Sequence, residues 1–294
     1  MLIARLIADR ADLLTRIEKL KHTLEVEGLA MTAAVEDAGE LVVLEVQIMG
    51  TSARVFADAL DSAFPASDRL IAAEKIVTPA LLVSDMDSTM IAQECIDELA
   101  DFAGLKERVV DITERAMQGE LDFEEALLER VGLLKGLDEG AVATCLAERI
   151  SLMPGAKTLV QTLRAKGCRC VLVTGGFHHF ADPIAEQIGF ERVVGNRLEV
   201  AEGALSGGLD GAITDSGVKR AVLEEEQGLL SAGSTSLATG DGANDIPMLV
   251  AADYGIAYHA KPKARAAANG RVDHGDLTQV LHLLGIPQKD WVTA

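Results

Sequence analysis

Two short segments of this chain carry carboxylates at a spacing suited to holding a hard cation. Residues 81–89 read Leu-Leu-Val-Ser-Asp-Met-Asp-Ser-Thr, an apolar run ending in Asp85 and Asp87; residues 237–245 read Leu-Ala-Thr-Gly-Asp-Gly-Ala-Asn-Asp. Such runs predict buried strands of a parallel sheet, and ligands of open α/β sheets bind beyond the carboxyl ends of their strands. Asp85, Asp87 and the backbone carbonyl between them would meet at that edge. The second run, Ser236 to Thr239, delivers Asp241 there as a third oxygen ligand before a glycine-flanked turn. Hard oxygen donors suit Mg²⁺. Asp-x-Asp or Gly-Asp-Gly alone is common in acidic chains. Both at the ends of strand-like runs, with Thr174-Gly175-Gly176 and Lys219 between them, point to one site.

The chemistry these residues suit is phosphoryl transfer, which needs a positioned nucleophile, neutralised equatorial oxygens and a proton for the leaving group. Asp85 can attack phosphorus and form an aspartyl-phosphate. Asp87 can protonate the departing alkoxide and later deprotonate the hydrolytic water, its backbone carbonyl staying free for the metal. Thr174 and Gly175 follow a strand and precede a helix, so a hydroxyl and backbone N–H groups face the same edge and can cradle phosphate oxygens. Lys219 can supply a fixed positive charge, although spacing alone fits a solvated residue beside Arg220 equally well. Asn244 can donate an amide hydrogen bond to phosphate, while Asp245 either orients ligands from behind or favours a helix N-terminus. Thr174-Gly175-Gly176 can also be a plain tight turn. His178-His179 does not read as a metal site, because consecutive residues diverge around a helix and no third ligand lies near.

The elements that must position these residues follow from hydrophobic spacing. From Thr78-Pro79 onward an α/β domain is expected: a first strand at Ala80 to Ser84, then a helical block with helices over Gln93 to Phe102, Leu105 to Met117 and Phe123 to Leu134. That block is too long for an ordinary crossover, so it reads as a cap inserted after the first strand, about residues 92–152. After Met153-Pro154-Gly155 the pattern becomes helix (Ala156–Lys166), strand (Arg169–Val173), glycine turn, helix (His178–Ile188) and strand near Val193-Val194, which implies a parallel, Rossmann-like sheet. A hairpin over Leu198 to Gly211, a helix over Val218 to Gln227, the Asp241 strand and a final strand near Gly255-Ile256-Ala257 complete the expectation. Residues 1–77 read as strand (Leu2–Ala8), helix (Asp12–Glu27), strands (Ala30–Val35 and Leu41–Ile48), helix (Ser52–Ala63) and strand (Arg69–Ala73), the βαββαβ order of a small ferredoxin-like α+β domain. The expected division is therefore 1–77 and 78–294.

Composition narrows the partners. The chain has 294 residues, 49 % hydrophobic and 25 % charged, enough for a sizeable core. A net charge of −19, only 3 % aromatic residues and no run of Lys or Arg exclude nucleic acid and anionic membrane surfaces. An anionic substrate must then be drawn in locally, by a metal, Lys219 and Arg130. Cys95, Cys145, Cys168 and Cys170 form no CxxC pair and no zinc-spaced cluster, so they read as reduced thiols. Charges throughout the first twenty residues and the lack of any long apolar stretch give the expectation of a cytoplasmic protein.

Over about residues 80–285 these motifs resemble the haloacid dehalogenase superfamily and, within it, the phosphoserine phosphatases. Asp-Met-Asp-Ser-Thr corresponds to the first motif, Val-Thr-Gly-Gly-Phe at 173–177 to the second, Lys219 to the third and Gly-Asp-Gly-Ala-Asn-Asp at 240–245 to the fourth. The resemblance implies Asp85 as nucleophile, Asp87 as acid and base, and Mg²⁺ on Asp85, the Asp87 carbonyl and Asp241. It also implies that Glu94 pairs with the ammonium, and Arg130 grips the carboxylate, of a phosphoserine substrate. Phe123 lies seven residues before Arg130, nearly on one helix face, and with Met117 would form an apolar wall. Many relatives carry serine at the place of Thr174, which keeps the hydroxyl. The expected reaction is hydrolysis of O-phospho-L-serine, the last step of serine synthesis. The rivals are transfer to another alcohol such as homoserine, and a non-catalytic amino-acid-binding regulator. Residues 1–77 resemble ACT-like extensions; a structural or homodimer-forming role is expected there ahead of sensing.

Overall fold

The computed structural model describes residues 1–38, 41–50, 52–117 and 122–293. The N-terminal unit consists of β1 (Leu2–Asp9), α1 (Leu13–Val26), β2 (Met31–Ala38), β3 (Leu41–Ile48), α2 (Ala53–Ala63) and β4 (Asp68–Ala72). Its strands lie in the order β2-β3-β1-β4, antiparallel throughout. Two-residue periodicity divides β1 between two cores. Ala4, Leu6 and Ala8 pack with Leu20, Leu44, Phe56 and Leu60 under the helices, whereas Ile3 and Ile7 join a larger core shared with the rest of the chain.

The chain then forms β5 (Leu81–Ser84) and a block of four helices, α3 (Cys95–Phe102), α4 (Lys106–Met117), α5 (Phe123–Leu133) and α6 (Gly140–Arg149). It returns through α7 (Ala156–Ala165), β6 (Arg169–Phe177), α8 (His178–Ile188) and β7 (Arg192–Asn196) to the hairpin β8 (Leu198–Ala201) and β9 (Ala204–Leu209). The last part comprises α9 (Ser216–Gln227), β10 (Ser236–Gly240), α10 (Ile246–Ala251), β11 (Tyr254–Tyr258), α11 (Pro262–Ala267), β12 (Gly270–Val272) and α12 (Thr278–Leu283). The fold is thus α/β, with a parallel core in the order β12-β11-β10-β5-β6-β7. The central strands β5, β10 and β11 are buried at every position, as expected of strands covered by helices on both faces. All four cysteines are buried and unpaired. Among the described residues no helix is long and apolar enough to cross a membrane.

Several elements differ from the sequence expectation. α6 is a further helix in the block between β5 and α7, and α11 and α12 follow the strand expected to be last. β6 runs to Phe177 rather than stopping at Val173, with its register against β7 broken between Val173 and Phe177; the small residues Gly175 and Gly176 let the ladder deform there without ending. β12 follows the strand expected to be last. At three residues it is too short for an alternating pattern to show, yet it pairs antiparallel with β4, Gly270 opposite Leu70 and Arg271 opposite Arg69, and fuses both parts into one ten-stranded sheet.

A buried carboxylate reinforces that junction. Asp68, 3 % exposed, accepts hydrogen bonds from the backbone N–H groups of Asp273 (2.7 Å), His274 (3.0 Å) and Gly275 (3.0 Å). Its removal leaves three donors without an acceptor. We expect Asp68→Ala to lower unfolding stability by about 2–4 kcal/mol in denaturant titration, and Asp68→Asn, which keeps one acceptor oxygen, to lower it less. Equal stability of Asp68→Ala and the parent would rule out this role.

Candidate active site

Asp85 and Asp241 each stand one residue past the end of a strand, because β5 and β10 pair in parallel register from Ser236 opposite Leu81 to Thr239 opposite Ser84. The Asp85 N–H donates to the Thr239 carbonyl at 3.0 Å. Behind them the Thr239 hydroxyl donates to Ser84 Oγ (2.8 Å), which donates to the Asp85 carbonyl (2.7 Å), a buried relay that fixes where the strand ends. Past Asp87 the chain turns back at once: Ser88 takes φ 55° and the N–H of Met90 reaches the Met86 carbonyl at 2.8 Å. Asp87 is thereby kept at the edge and not carried along a strand.

Lys219 is buried, at 1 % exposure, and is not a solvated residue beside Arg220. It lies in the first turn of α9, whose N-terminus is capped by the Asp215 carboxylate accepting from the Val218 N–H at 2.9 Å. Its ammonium donates to Asp85 Oδ1 (2.6 Å) and Asp245 Oδ1 (2.7 Å). Burial alone would lower its pKa, but the charges of Asp85 and Asp245 outweigh burial and raise it, so the ammonium stays protonated. Burial, then repulsion from Asp245, push the Asp85 carboxyl well above the usual range, against the pull of Lys219. Asp245 is fully engaged: Oδ1 meets Lys219, and Oδ2 accepts from the N–H groups of Asp241 (3.1 Å) and Gly242 (3.0 Å). It adjoins the start of α10 but makes no side-chain cap bond there. Glycine is required beside it, since a Cβ on Gly240 would lie 2.5 Å from Asp245 Cγ.

Asp87 meets the glycine segment within β6. Its Oδ1 accepts from the Cys95 N–H at the start of α3 (3.0 Å), and the Thr174 hydroxyl lies 3.4 Å from Oδ2. Thr174 in turn accepts from the Gly176 N–H at 2.8 Å, and a Cβ on Gly176 would sit 2.7 Å from Asp87 Oδ2. Thr174-Gly175-Gly176 is therefore a close approach of backbone to carboxylate. Burial, then the neighbouring Glu94, raise Asp87 to about 7. Burial also raises Asp241 to about 6, opposed by Lys261.

One cavity collects these groups: Asp85, Asp87, Glu94, Phe123, Arg130, Thr174, Gly175, Asn244 and Asp241 all line it, together with Ile96, Leu127, Gly176, Phe177 and Lys261. Phe123 and Arg130 reach it from α5, whose start is fixed by a reciprocal capping box between Asp122 and Glu125. Arg130 is steadied by its Nε–H donating to the Ala126 carbonyl at 3.2 Å, and Glu94 accepts from the Ser88 hydroxyl at 2.8 Å. The side chain of Met117 falls outside the described residues. His178 pairs with Asp182 at 2.8 Å, away from the cavity lining.

Sequence reasoning missed two contributors. Lys261 donates its backbone N–H to the Asp241 carbonyl (2.9 Å) and brings its ammonium to 3.8 Å from Asp241 Oδ2. Its signal was the Lys-Pro step opening a helix beyond the β11 run, another strand end at the same edge. Asn196 bridges the Gly175 carbonyl (2.7 Å) and the Thr214 N–H (2.8 Å), holding the glycine segment from behind; nothing in its local sequence marks it.

The donor set fits a hard divalent cation. Oxygens of Asp85, Asp241 and Asp245 lie within 4.8 Å of one another. Asp87 lies beside them in the cavity lining, and the one buried ammonium, Lys219, pairs only with Asp85 and Asp245, which leaves an excess of negative charge made entirely of oxygen donors. Because Asp245 is occupied on both oxygens, Asp85 and Asp241 are the carboxylates with oxygens to offer.

Residues 82–250 match the haloacid dehalogenase-like hydrolases, and the chain belongs to that family. It is 45 % identical over 207 residues to a phosphoserine phosphatase of Streptococcus thermophilus, a match covering 69 % of this chain and 95 % of that protein. To the phosphoserine phosphatase SerB2 of Mycobacterium tuberculosis it is 43 % identical over 212 residues, 71 % of this chain but only 51 % of the relative, so it matches about half of that longer protein. Among solved structures, a hydrolase of the same family from Salmonella enterica serovar Typhi superimposes with a TM-score of 0.84 at 27 % identity, over 97 % of this chain and 99 % of that one.

The raised carboxyls imply a pH-dependent, cation-sensitive stability. A carboxyl moved from 3.8 to about 7 holds its proton in the folded state over a range where the unfolded chain has released it. Without metal, stability is therefore present at low pH and lost as pH rises through that interval. We expect the melting temperature in EDTA to fall between pH 5 and 7.5, and saturating Mg²⁺ at pH 7.5 to restore about 5 °C or more. Asp241→Asn should abolish most of the Mg²⁺ shift. A parent protein whose melting ignores Mg²⁺ would count against a cation site here.

Proposed function

As a member of the haloacid dehalogenase-like hydrolases this chain, we propose, is an Mg²⁺-dependent phosphatase that converts O-phospho-L-serine and water to L-serine and phosphate, the closing step of serine synthesis in the cytoplasm. The observation that carries the reading is the buried Lys219 bound to Asp85 and Asp245, directly behind a cavity lined by Asp85, Asp87, Glu94 and Arg130. Relatives named phosphoserine phosphatase at 43 % and 45 % identity support the substrate.

Asp85, one oxygen held by Lys219, attacks phosphorus with the other. The new aspartyl O–P bond forms as the ester O–P bond breaks, and the seryl oxygen takes a proton from Asp87, whose raised carboxyl suits it to donate near neutral pH. In the second half Asp87 removes a proton from water as the water oxygen attacks phosphorus, the aspartyl O–P bond breaks, and phosphate leaves with Asp85 restored. Thr174, the Gly175 N–H and Asn244 hold phosphoryl oxygens, and Lys219 offsets their charge. Asp85, the Asp87 carbonyl and Asp241 would hold Mg²⁺, with Asp245 orienting this set; the ion supplies charge neutralisation to the phosphoryl group when bound. Glu94 receives the substrate ammonium, Arg130 its carboxylate, and Phe123 with Met117 walls the methylene side. Residues 78–294 form the catalytic part, with the cap at about 92–152, and residues 1–77 a structural or dimerising module.

Transfer to an acceptor such as homoserine uses the same first half-reaction, and product analysis with acceptor alcohols present separates it from hydrolysis. A binding protein without turnover is the remaining reading, at odds with the intact Asp85, Asp87 and Lys219 set.

Asp85→Asn should lower kcat by about 10⁴-fold or more in a phosphate-release assay with Mg²⁺; unchanged turnover would discard the nucleophile assignment. Arg130→Ala should reduce kcat/KM for phosphoserine by about 10- to 100-fold, as expected for loss of charge-assisted hydrogen bonds, and leave an aryl phosphate nearly unaffected. Equal losses on both substrates would remove Arg130 as the carboxylate clamp.

A further inference from the structure

The pairing that fuses the two parts of the sheet sets two arginines against each other. Arg69 on β4 and Arg271 on β12 are direct partners in the antiparallel ladder, where like charges repel. Both are largely withdrawn from water, with side chains 11 % and 5 % exposed. One carboxylate bridges them. Asp61, at the end of α2, accepts from Arg69 Nη1 (2.6 Å) and Arg271 Nη2 (2.7 Å) on Oδ1, and from Arg271 Nη1 (3.2 Å) on Oδ2.

That bridge leaves guanidinium donors over. The buried Nε–H of Arg271 is ion-paired with Asp273 Oδ2 at 3.2 Å but makes no hydrogen bond. Among the described residues Arg69 engages protein acceptors only through Nη1, the second being the Ala57 carbonyl at 2.9 Å. Burial and the nearby Arg271 pull Arg69 down to about 10, the direction expected where positive charge is in excess. Both side chains line an open cleft between α2 and the α11–β12 segment, joined by Arg54, Arg265, Asp58 and Asp61. With Asp273 paired behind to Arg265 at 2.8 Å, four guanidiniums face three carboxylates, a local positive excess in a chain of net charge −19.

We infer that this cleft is a binding site for a small oxyanion, a carboxylate or phosphate group held by the unengaged Nε–H and Nη2–H donors of Arg69, with Arg271 adding positive charge behind it and Arg54 at the rim. Planar guanidiniums match the two-oxygen geometry of such groups. The anion would complete the charge balance of the seam between β4 and β12. The site lies at the far end of α11 from Lys261, about 9 Å along the helix, and is separate from the catalytic cavity in every lining residue.

Hydrogen exchange on the full chain, read by mass spectrometry while inorganic phosphate or acetate is titrated, tests this without relying on turnover. We expect slower exchange in residues 53–63 and 262–272, and the more effective of the two anions identifies the favoured group. Arg54→Glu should weaken the apparent affinity read at these segments by about tenfold, and Asp58→Asn should strengthen it by about threefold. Both residues are exposed, and opposite signs cannot arise from misfolding. Protection confined to residues 85–95 and 241–245, or identical titrations of the parent and both variants, would overturn the inference.

Discussion

The ammonium of Lys219, buried between Asp85 and Asp245, is the interaction on which the candidate active-site edge depends. Asp85, Asp241 and Asp245 converge there, largely withdrawn from water, and without a cation among them their mutual repulsion and desolvation would force protonation or opening. Lys219 does not cancel that charge fully. The excess appears in the raised carboxyls of Asp87 and Asp241, and it leaves a cluster of oxygen donors whose chemistry suits a hard cation. Asp245 converts one charge into geometry: by gripping the lysine with one oxygen and two backbone N–H groups with the other, it locks the turn that carries Asp241.

Close backbone approach makes this density of polar groups possible. Gly176 and Gly240 stand where a single methyl group would strike Asp87 or Asp245, so the strand ends can approach the carboxylates directly. Parallel pairing of β5 with β10 and β6 sets Ser84 opposite both Thr239 and Leu172, which brings Asp85, Asp241 and Thr174 to neighbouring levels. Helices on both faces keep that edge rigid through aliphatic packing, in a chain with only 3 % aromatic residues.

The helical block α3–α6 and the N-terminal unit attach to this core in different ways. The helical block adds a wall: α3 begins at Asp87 through the Cys95 N–H, and α5 brings Phe123 and Arg130 to the cavity lining. The N-terminal unit adds strands. Its β4 docks on β12 by backbone pairing, the Asp68 carboxylate and the shared Asp61 bridge, so part of its sheet face is buried in the main core.

Sequence by itself determined the family motifs at the candidate site and most of the elements that carry them. Hydrophobic periodicity outlined the βαββαβ unit to within three residues at every boundary, and apolar runs ending in Asp85 and Asp241 marked adjacent strand ends, because a buried strand must shed its polar groups to its tips. Where periodicity was absent the chain was mute. The three residues of β12 are too few to alternate, and only the edge of β4 turns them into a strand. Spacing could not choose between a solvated and a buried Lys219, since its partners Asp85 and Asp245 lie 134 and 26 residues away. Lys261 and Asn196 were likewise decided by tertiary structure: their roles come from what they face across the fold, and a charge or an amide carries no local trace of its partner.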